Sequence, residues 1–435
     1  MIYRGWRLMS KAMKDEKKAL VPRLRFPEFR DAGEWEKTTI GEIGKFYYGK
    51  SAPKWSLEED APTPCVRYGE LYTKFGPIIT ETYSRTNIDP GKLRFSKGGE
   101  ILVPRVGEKT EDFGKCCCYL PLGDIAIGEM ISVFETAQNP LFYTYYFRRL
   151  YRQFSKVVEG QNVKNLYYVE LEPLEIYRPP LTEQQKIADC LSSLDALIAA
   201  QADKIDALKT HKKGLIQQLF PREGKTVPRL RFPEFQEAGE WTEHRLENMA
   251  KRGSGHTPNK KFPSYYNGGI KWVSLADSNK LDDGYIYDTK VEISDDGINN
   301  SSAVLYPAGT VILSRDAGVG KSAVLYSPMA VSQHFMAWQC YENMLSNWFF
   351  YYLLQKLKAT FESIAVGNAI KTIGAAYFKE MTITAPSLPE QQKIADCLVS
   401  LDGMIAAHTE KLDSLKTHKN GLMQQLFPSP EAVEA

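Results

Sequence analysis

The chain is written twice, and this constrains its fold more than any other feature. VPRLRFPEFRDAGEW begins at Val21 and VPRLRFPEFQEAGEW at Val227, 206 residues later. EQQKIADCLSSLDALIAAQADKIDALKTHKKGLIQQLFP begins at Glu183, and a near-copy begins at Glu390, 207 residues later. The segments between, 37–180 and 243–387, barely match. Two constant frames therefore hold two different inserts. A period this long is no solenoid, whose repeats run to roughly 20–45 residues. Two divergent copies predict a pseudo-twofold molecule of α+β class, built to carry two different specificities on one scaffold.

The longer repeat has the spacing of a helical seam. Ile187, Leu191, Leu194, Ile198, Gln201, Ile205, Leu208, Lys212, Leu215 and Leu219 step alternately by four and three. Ile394, Leu398, Leu401, Ile405, His408, Leu412, Leu415, Lys419, Leu422 and Leu426 keep the same register. Such heptads predict an antiparallel coiled coil of two helices, in which the polar positions Gln201, Lys212, His408 and Lys419 fix register. Each segment follows a proline-containing boundary and stops at Phe-Pro, where proline cannot continue a helix. About 39 residues at 1.5 Å per residue make a rod of roughly 55–60 Å. Gly214 and Gly421 interrupt both copies at one place, marking a close approach or a bend. The expected organisation is a basic tail 1–20, a first insert domain 21–180, a first helix 181–221, a second insert domain 222–387, a second helix 388–428 and a tail 429–435.

Both inserts mix strands and helices. Glu100–Val103 and Thr310–Leu313 are short apolar runs bounded by glycine and read as strands. Cys116–Cys118 also reads as a strand of small residues. Leu141–Val158 and Trp348–Ile364 read as amphipathic helices whose aromatics pack a core. A faint common frame survives. A strand ends at Arg105 before Gly114-Lys115, and another ends at Arg315 before Gly320-Lys321. Gly160-Gln161-Asn162-Val163-Lys164 matches Gly367-Asn368-Ala369-Ile370-Lys371. Arginine at a strand end, with amides and lysines in a glycine turn, suits phosphates or a guanine edge. A solvated surface would use the same residues. Single-copy candidates for DNA contact are Lys50, Lys54, Arg67 and Tyr68, and a basic loop containing Lys251, Arg252, His256, Asn259, Lys260 and Lys261.

Net charge is +2, from 55 basic and 53 acidic residues, so any nucleic-acid face must be local. Seven cysteines without CxxC spacing argue against a disulfide framework or a structural zinc. No apolar stretch has the roughly 18 residues of a membrane span, and the N-terminus lacks a signal-peptide core. A reduced, cytoplasmic protein is expected.

Catalytic motifs are missing. Gly318-Val319-Gly320-Lys321-Ser322 resembles a phosphate loop, but Arg315 occupies the position of its first glycine. Asn139-Pro140-Leu141-Phe142 resembles the Asn-Pro-Pro-aromatic motif of adenine methyltransferases, but Leu141 replaces the second proline, so a helix start at Asn139 is expected. There is no HExxH and no zinc-deaminase cysteine pair. A chain without chemistry of its own is expected.

Two inserts, each followed by a PxLxEQQKIA-type helix, resemble the specificity subunit of type I restriction–modification systems. The matching residues are Pro180–Ala188 and Pro386–Ala395, with LRFPEF at Leu24–Phe29 and Leu230–Phe235. Ser387 departs from the usual second proline. The resemblance implies that each insert is a target-recognition domain for one half of a bipartite, asymmetric DNA site. It implies that the helices set the spacer and dock two modification subunits, which methylate adenine N6. Restriction subunits would join to cleave unmodified DNA, as in phage defence. S-adenosylmethionine, ATP and magnesium would belong to those partners, and this chain would bind no cofactor or metal.

Overall fold

A computed structural model describes residues 21–50, 53–367 and 371–428. The expected tails 1–20 and 429–435, and candidate Asn368, lie outside the described residues. The chain forms two compact units. One runs to Ala200 and resumes at Leu412, and the other is Gln201–Lys411. Each unit thus contains one insert and part of both long helices.

In the first unit, Glu36–Thr39 pairs antiparallel with Glu175–Arg178 and ties the two ends of the insert together just before the helix. The central antiparallel sheet is ordered Gly44–Tyr48, Ile131–Thr136, Glu100–Pro104, Cys118–Leu120. Glu100–Pro104 is buried along its whole length, as its continuous apolar run requires. A second sheet places Thr63–Val66 parallel to Gly123–Ile127. Helix Pro140–Arg149 starts as expected: Pro140 sits in the first turn and the Asn139 side chain accepts from the Phe142 amide.

Two expectations need correction. Leu141–Val158 is not one helix. It breaks at Leu150 into Pro140–Arg149 and Tyr151–Lys156. The break lies where the short helix Asp112–Lys115 presses on it; a Cβ at Gly114 would sit 2.5 Å from the Tyr151 Cα. The cysteine run is not a strand either. Only Cys118 is extended, because Cys116 caps that short helix.

The second unit repeats the plan. Thr242–Arg245 pairs with Thr382–Ala385. Its main sheet is ordered Ala250–Ser254, Phe335–Cys340, Val311–Ser314, Ser322–Leu325, Tyr285–Ile286. Here the aromatic helix Asn347–Ile364 runs unbroken, capped by Ser346 on the Phe349 amide. Gly318–Lys321 leads into strand Ser322–Leu325 rather than a helix, so it is no phosphate loop.

The long helices are Leu181–Leu219 and Leu388–Gln425, of 39 and 38 residues. Every seam position is buried or half-buried. In the second unit, Gln201 Nε2 lies 2.7 Å from His408 Nδ1 and donates to the His408 carbonyl at 2.8 Å, while Lys212 pairs with Asp402. The partner number falls as the helix number rises, so these segments run antiparallel. In the first unit Lys419 pairs with Asp195, the equivalent residues of the repeat. Each of these aspartates also accepts a 2.6 Å hydrogen bond from an insert tyrosine, Tyr145 to Asp195 and Tyr352 to Asp402. The seam lysines therefore hold insert and helices in register. Gly214 is no close approach: a Cβ there would meet nothing within 4 Å.

The repeated opening segments act as latches. Arg25 grips Glu183 through Nε and Nη2 at 2.7 and 2.6 Å, and Trp35 Nε1 donates to the same carboxylate. Arg231, Glu390 and Trp241 make the same contacts in the second unit. The helix C-termini then fill the cores. Phe427 lies 5.1 Å from Tyr146 and 5.3 Å from Phe142 in the first unit. Phe220 lies 5.1 Å from Phe349 in the second.

Candidate nucleic-acid interface

Arg105 follows the buried strand Glu100–Pro104, and the backbone holds it on both sides. Its amide donates to Met130 and its carbonyl accepts from Leu166. Arg315 is held identically, by His334 and Ile373. The two strand-end arginines therefore occupy equivalent places. The glycine turns come to them as well. Lys164 and Asn165 pair with Gly107 and Val106, next to Arg105. Thr372, next to Lys371, bridges to Asp316.

The surroundings differ. The Arg105 guanidinium lies over two rings, 4.5 Å from the centre of Tyr48 and 5.4 Å from that of Tyr167. No carboxylate pairs with it among the described residues, and its buried Nε has no hydrogen-bond partner. Burial pushes the Tyr48 phenol up, and Arg105 pulls it partly back. A guanidinium drawn to aromatic faces is held in place while keeping donors for a ligand. Arg315 instead has Asp316 beside it, Nε to Oδ1 at 3.8 Å, too long for a hydrogen bond. Asp316 Oδ2 holds His334 Nδ1 at 2.8 Å, leaving its buried Oδ1 without a partner. One site thus sets a guanidinium against two phenol rings, and the other sets one beside a carboxylate.

The remaining candidates divide. Tyr68 and Asn162 line one cleft of about 730 Å³, with Lys109 and Asp112. Arg67 precedes Tyr68, its amide held by the buried Glu70. Gln161 is exposed, and Lys164 turns back to donate to the Gly160 carbonyl. Lys50 is exposed two residues beyond Tyr48, and Lys54 is exposed in a turn next to Trp55. Lys115 belongs elsewhere: it pairs with Glu111 and sits over Tyr151.

In the second unit, Lys260 and His334 line a cleft of about 700 Å³ with Trp272 and Ser332. His256 is exposed, with its backbone bound to Val331 and Trp272. Asn259 is exposed and accepts from the Lys261 amide. Arg252 pairs with Glu247, Lys371 is exposed, and Lys321 turns inward to the Ser278 carbonyl. Sequence reading missed Tyr48, Tyr167, Asp316 and His334, which folding brings to the arginines from distant segments.

The family described as "Type I restriction modification DNA specificity domain" matches residues 32–210 and again 238–417. The MjaVIII type I restriction enzyme specificity subunit of Methanocaldococcus jannaschii is 23% identical over 421 residues, covering 93% of both chains. The fold is that of the type I restriction–modification S subunit of M. genitalium: TM-score 0.59 at 16% identity, covering 94% of this chain and 99% of that one. A chain solved in a study of type I system assembly and conformational transition gives 0.56, also at 16% identity, covering 91% of this chain and 98% of that one. No helix among the described residues is long and apolar enough to cross a membrane. The chain belongs to the type I restriction–modification DNA-specificity family, whose domain it carries twice, and is a non-catalytic DNA-recognition subunit of that class.

Proposed function

We propose that each insert reads one half of a split, asymmetric DNA site, with Arg105 and Arg315 at the two reading positions. The observation that carries this is their equivalence in backbone and difference in surroundings. A guanidinium suits the O6 and N7 acceptors of guanine, whereas beside Arg315 the Asp316 carboxylate can accept from the amino group of cytosine or adenine. The glycine turns and the clefts at Asn162 and Lys260 supply phosphate and edge contacts. The duplicated helix pair, taken as one antiparallel coiled coil, sets the spacer and docks two modification subunits on two near-identical surfaces. Those subunits bring S-adenosylmethionine and methylate adenine N6 after flipping the base. Restriction subunits bring ATP and magnesium, and the assembly works in the cytoplasm.

The test is a single-molecule adenine methylome of cells with and without this gene, then with single variants. Removing the gene abolishes one split motif. Arg105→Ala relaxes or loses one half-site and Arg315→Ala the other, each weakening binding by about 1–3 kcal/mol. Unchanged motifs in both variants sink the assignment.

The spacer claim has its own check. One heptad is about 10 Å of helix. Deleting seven residues from each helix should therefore move the spacer by about three base pairs, or abolish methylation. An unchanged spacer with full activity contradicts it.

A further inference from the structure

A second pair of equivalent places lies beside the strand-end arginines. The Arg105 amide donates to the Met130 carbonyl, and that of Arg315 to His334. Met130 and His334 end two short loops, 128–130 and 332–334, each leading into the strand that pairs with the arginine's own. The backbone holds both loops alike. Gly128 and Ser332 donate to the carbonyls of Val66 and Val273 at 3.0 and 2.8 Å. Ile131 and Phe335 donate back to Gly128 and Ser332 at 3.2 and 3.1 Å. Just before each loop, the Ile127 carbonyl accepts from Lys50 and that of Val331 from His256. In both loops the first residue is buried, the second exposed and the third half-buried.

The side chains do not follow the backbone. The exposed middle residue is Glu129 in one unit and Gln333 in the other. Packing does not choose between them, because neither is buried. Gln333 is oriented from two sides: its Oε1 accepts from Thr257, and its Nε2 lies 3.4 Å from His334 Nε2. An amide has two donors and two lone pairs, so a donor and an acceptor remain. An ionised carboxylate only accepts. One backbone place with different hydrogen-bonding chemistry in each copy is what reading two different half-sites requires.

We propose that Glu129 and Gln333 are specificity-determining residues, each reading a base beside the one met by its neighbouring arginine. This rests on the inserts reading the two half-sites through Arg105 and Arg315. The chemistry names the bases. In the major groove only cytosine and adenine present an amino group. Adenine sets its N7 acceptor next to that group, which repels the second oxygen of a carboxylate but accepts from the amide nitrogen of a glutamine. A carboxylate at a DNA face is repelled by the phosphates unless an amino group meets it. Glu129 therefore selects cytosine in the first half-site, and Gln333 selects adenine in the second.

The test uses the chain assembled with its modification subunits. The adenine methylome is read for Glu129→Gln, Gln333→Glu, Glu129→Ala and Gln333→Ala, with Arg105→Ala and Arg315→Ala alongside. Binding is measured to duplexes carrying each of the four bases in turn at every half-site position, and it reports the preferred base where methylation is lost. Glu129→Gln should exchange one cytosine of the first half-site for adenine, and Gln333→Glu should do the reverse in the second. Each alanine variant should relax its position, with discrimination there falling by about 5- to 150-fold. The other half-site should keep its sequence. Unchanged base preference in all four loop variants overturns the proposal. So does a Glu129→Gln complex that binds every duplex more tightly by one factor with its motif intact, since that carboxylate then faces phosphates rather than a base. If the arginine variants shift their half-sites and the loop variants do not, this proposal falls alone. If neither set does, the reading of the inserts falls with it.

Discussion

Glu183→Gln should destabilise the first unit by about 3–5 kcal/mol and leave the second nearly untouched. The Glu183 side chain is fully buried, and that of Arg25 is only 5% exposed. Glutamine keeps the shape of glutamate but strips the guanidinium of its counter-charge inside the protein. The cost is chiefly that of an uncompensated buried cation rather than of one lost hydrogen bond. The carboxylate also receives Trp35 Nε1, and Arg25 also reaches the Gly33 carbonyl, so the whole opening segment loosens with it. Glu390→Gln should do the same to the second unit through Arg231 and Trp241. Amide hydrogen exchange separates the two effects. Protection should fall in strand Glu100–Pro104 for one variant and in Val311–Ser314 for the other. Equal loss in both strands, or a cost under about 1 kcal/mol, would show that the latch is not what holds each insert to its helix.

Phe427→Ala should also strike the first unit, although the residue lies near the far end of the chain. Its ring is 1% exposed and packs with Trp35, Phe142 and Tyr146. Removing a buried phenylalanine costs about 3–5 kcal/mol, through lost transfer energy and the cavity left behind. Phe220→Ala should bring the equivalent loss to the second unit, where Phe220 packs on Trp241 and Phe349. The same exchange measurement applies. If Phe427→Ala lowers protection in Val311–Ser314 instead of Glu100–Pro104, the assignment of chain ends to units is wrong.

The repeated frame was legible in the sequence because periodicity and near-identity report local facts. The repeat, its heptads and its flanking prolines marked both long helices to within three residues, and asparagine marked the helix start at Asn139. Contacts between distant segments were not legible. Arg105 was found as a strand-end arginine, but its ring partners Tyr48 and Tyr167 lie 119 residues apart and neither carries a motif. Asp316 follows Arg315 directly, but nothing local marks it, since its role depends on His334, 18 residues on. The break at Leu150 was hidden for a similar reason. It coincides with the contact of Gly114 on Tyr151, 37 residues apart in sequence, and not with a local breaker. Lys115 and Lys321 looked alike in sequence, yet one pairs with Glu111 and the other turns to a backbone carbonyl.

The division of the chain also dictates an order of maturation during synthesis. The second unit is complete once Lys411 has emerged, since all of it lies between Gln201 and that residue. The first has its insert from the outset but lacks Leu422, Met423, Leu426 and Phe427, which close its core. From Ala200 to Phe427 is 227 residues. At about 5–20 residues per second, the ribosome needs roughly 10–45 s to make them. For that time Trp35, Phe142 and Tyr146 stand without their last partner, and the opening is apolar. The half translated first is thus the half that folds last, and it is the nascent chain's principal point of exposure to chaperones and proteases.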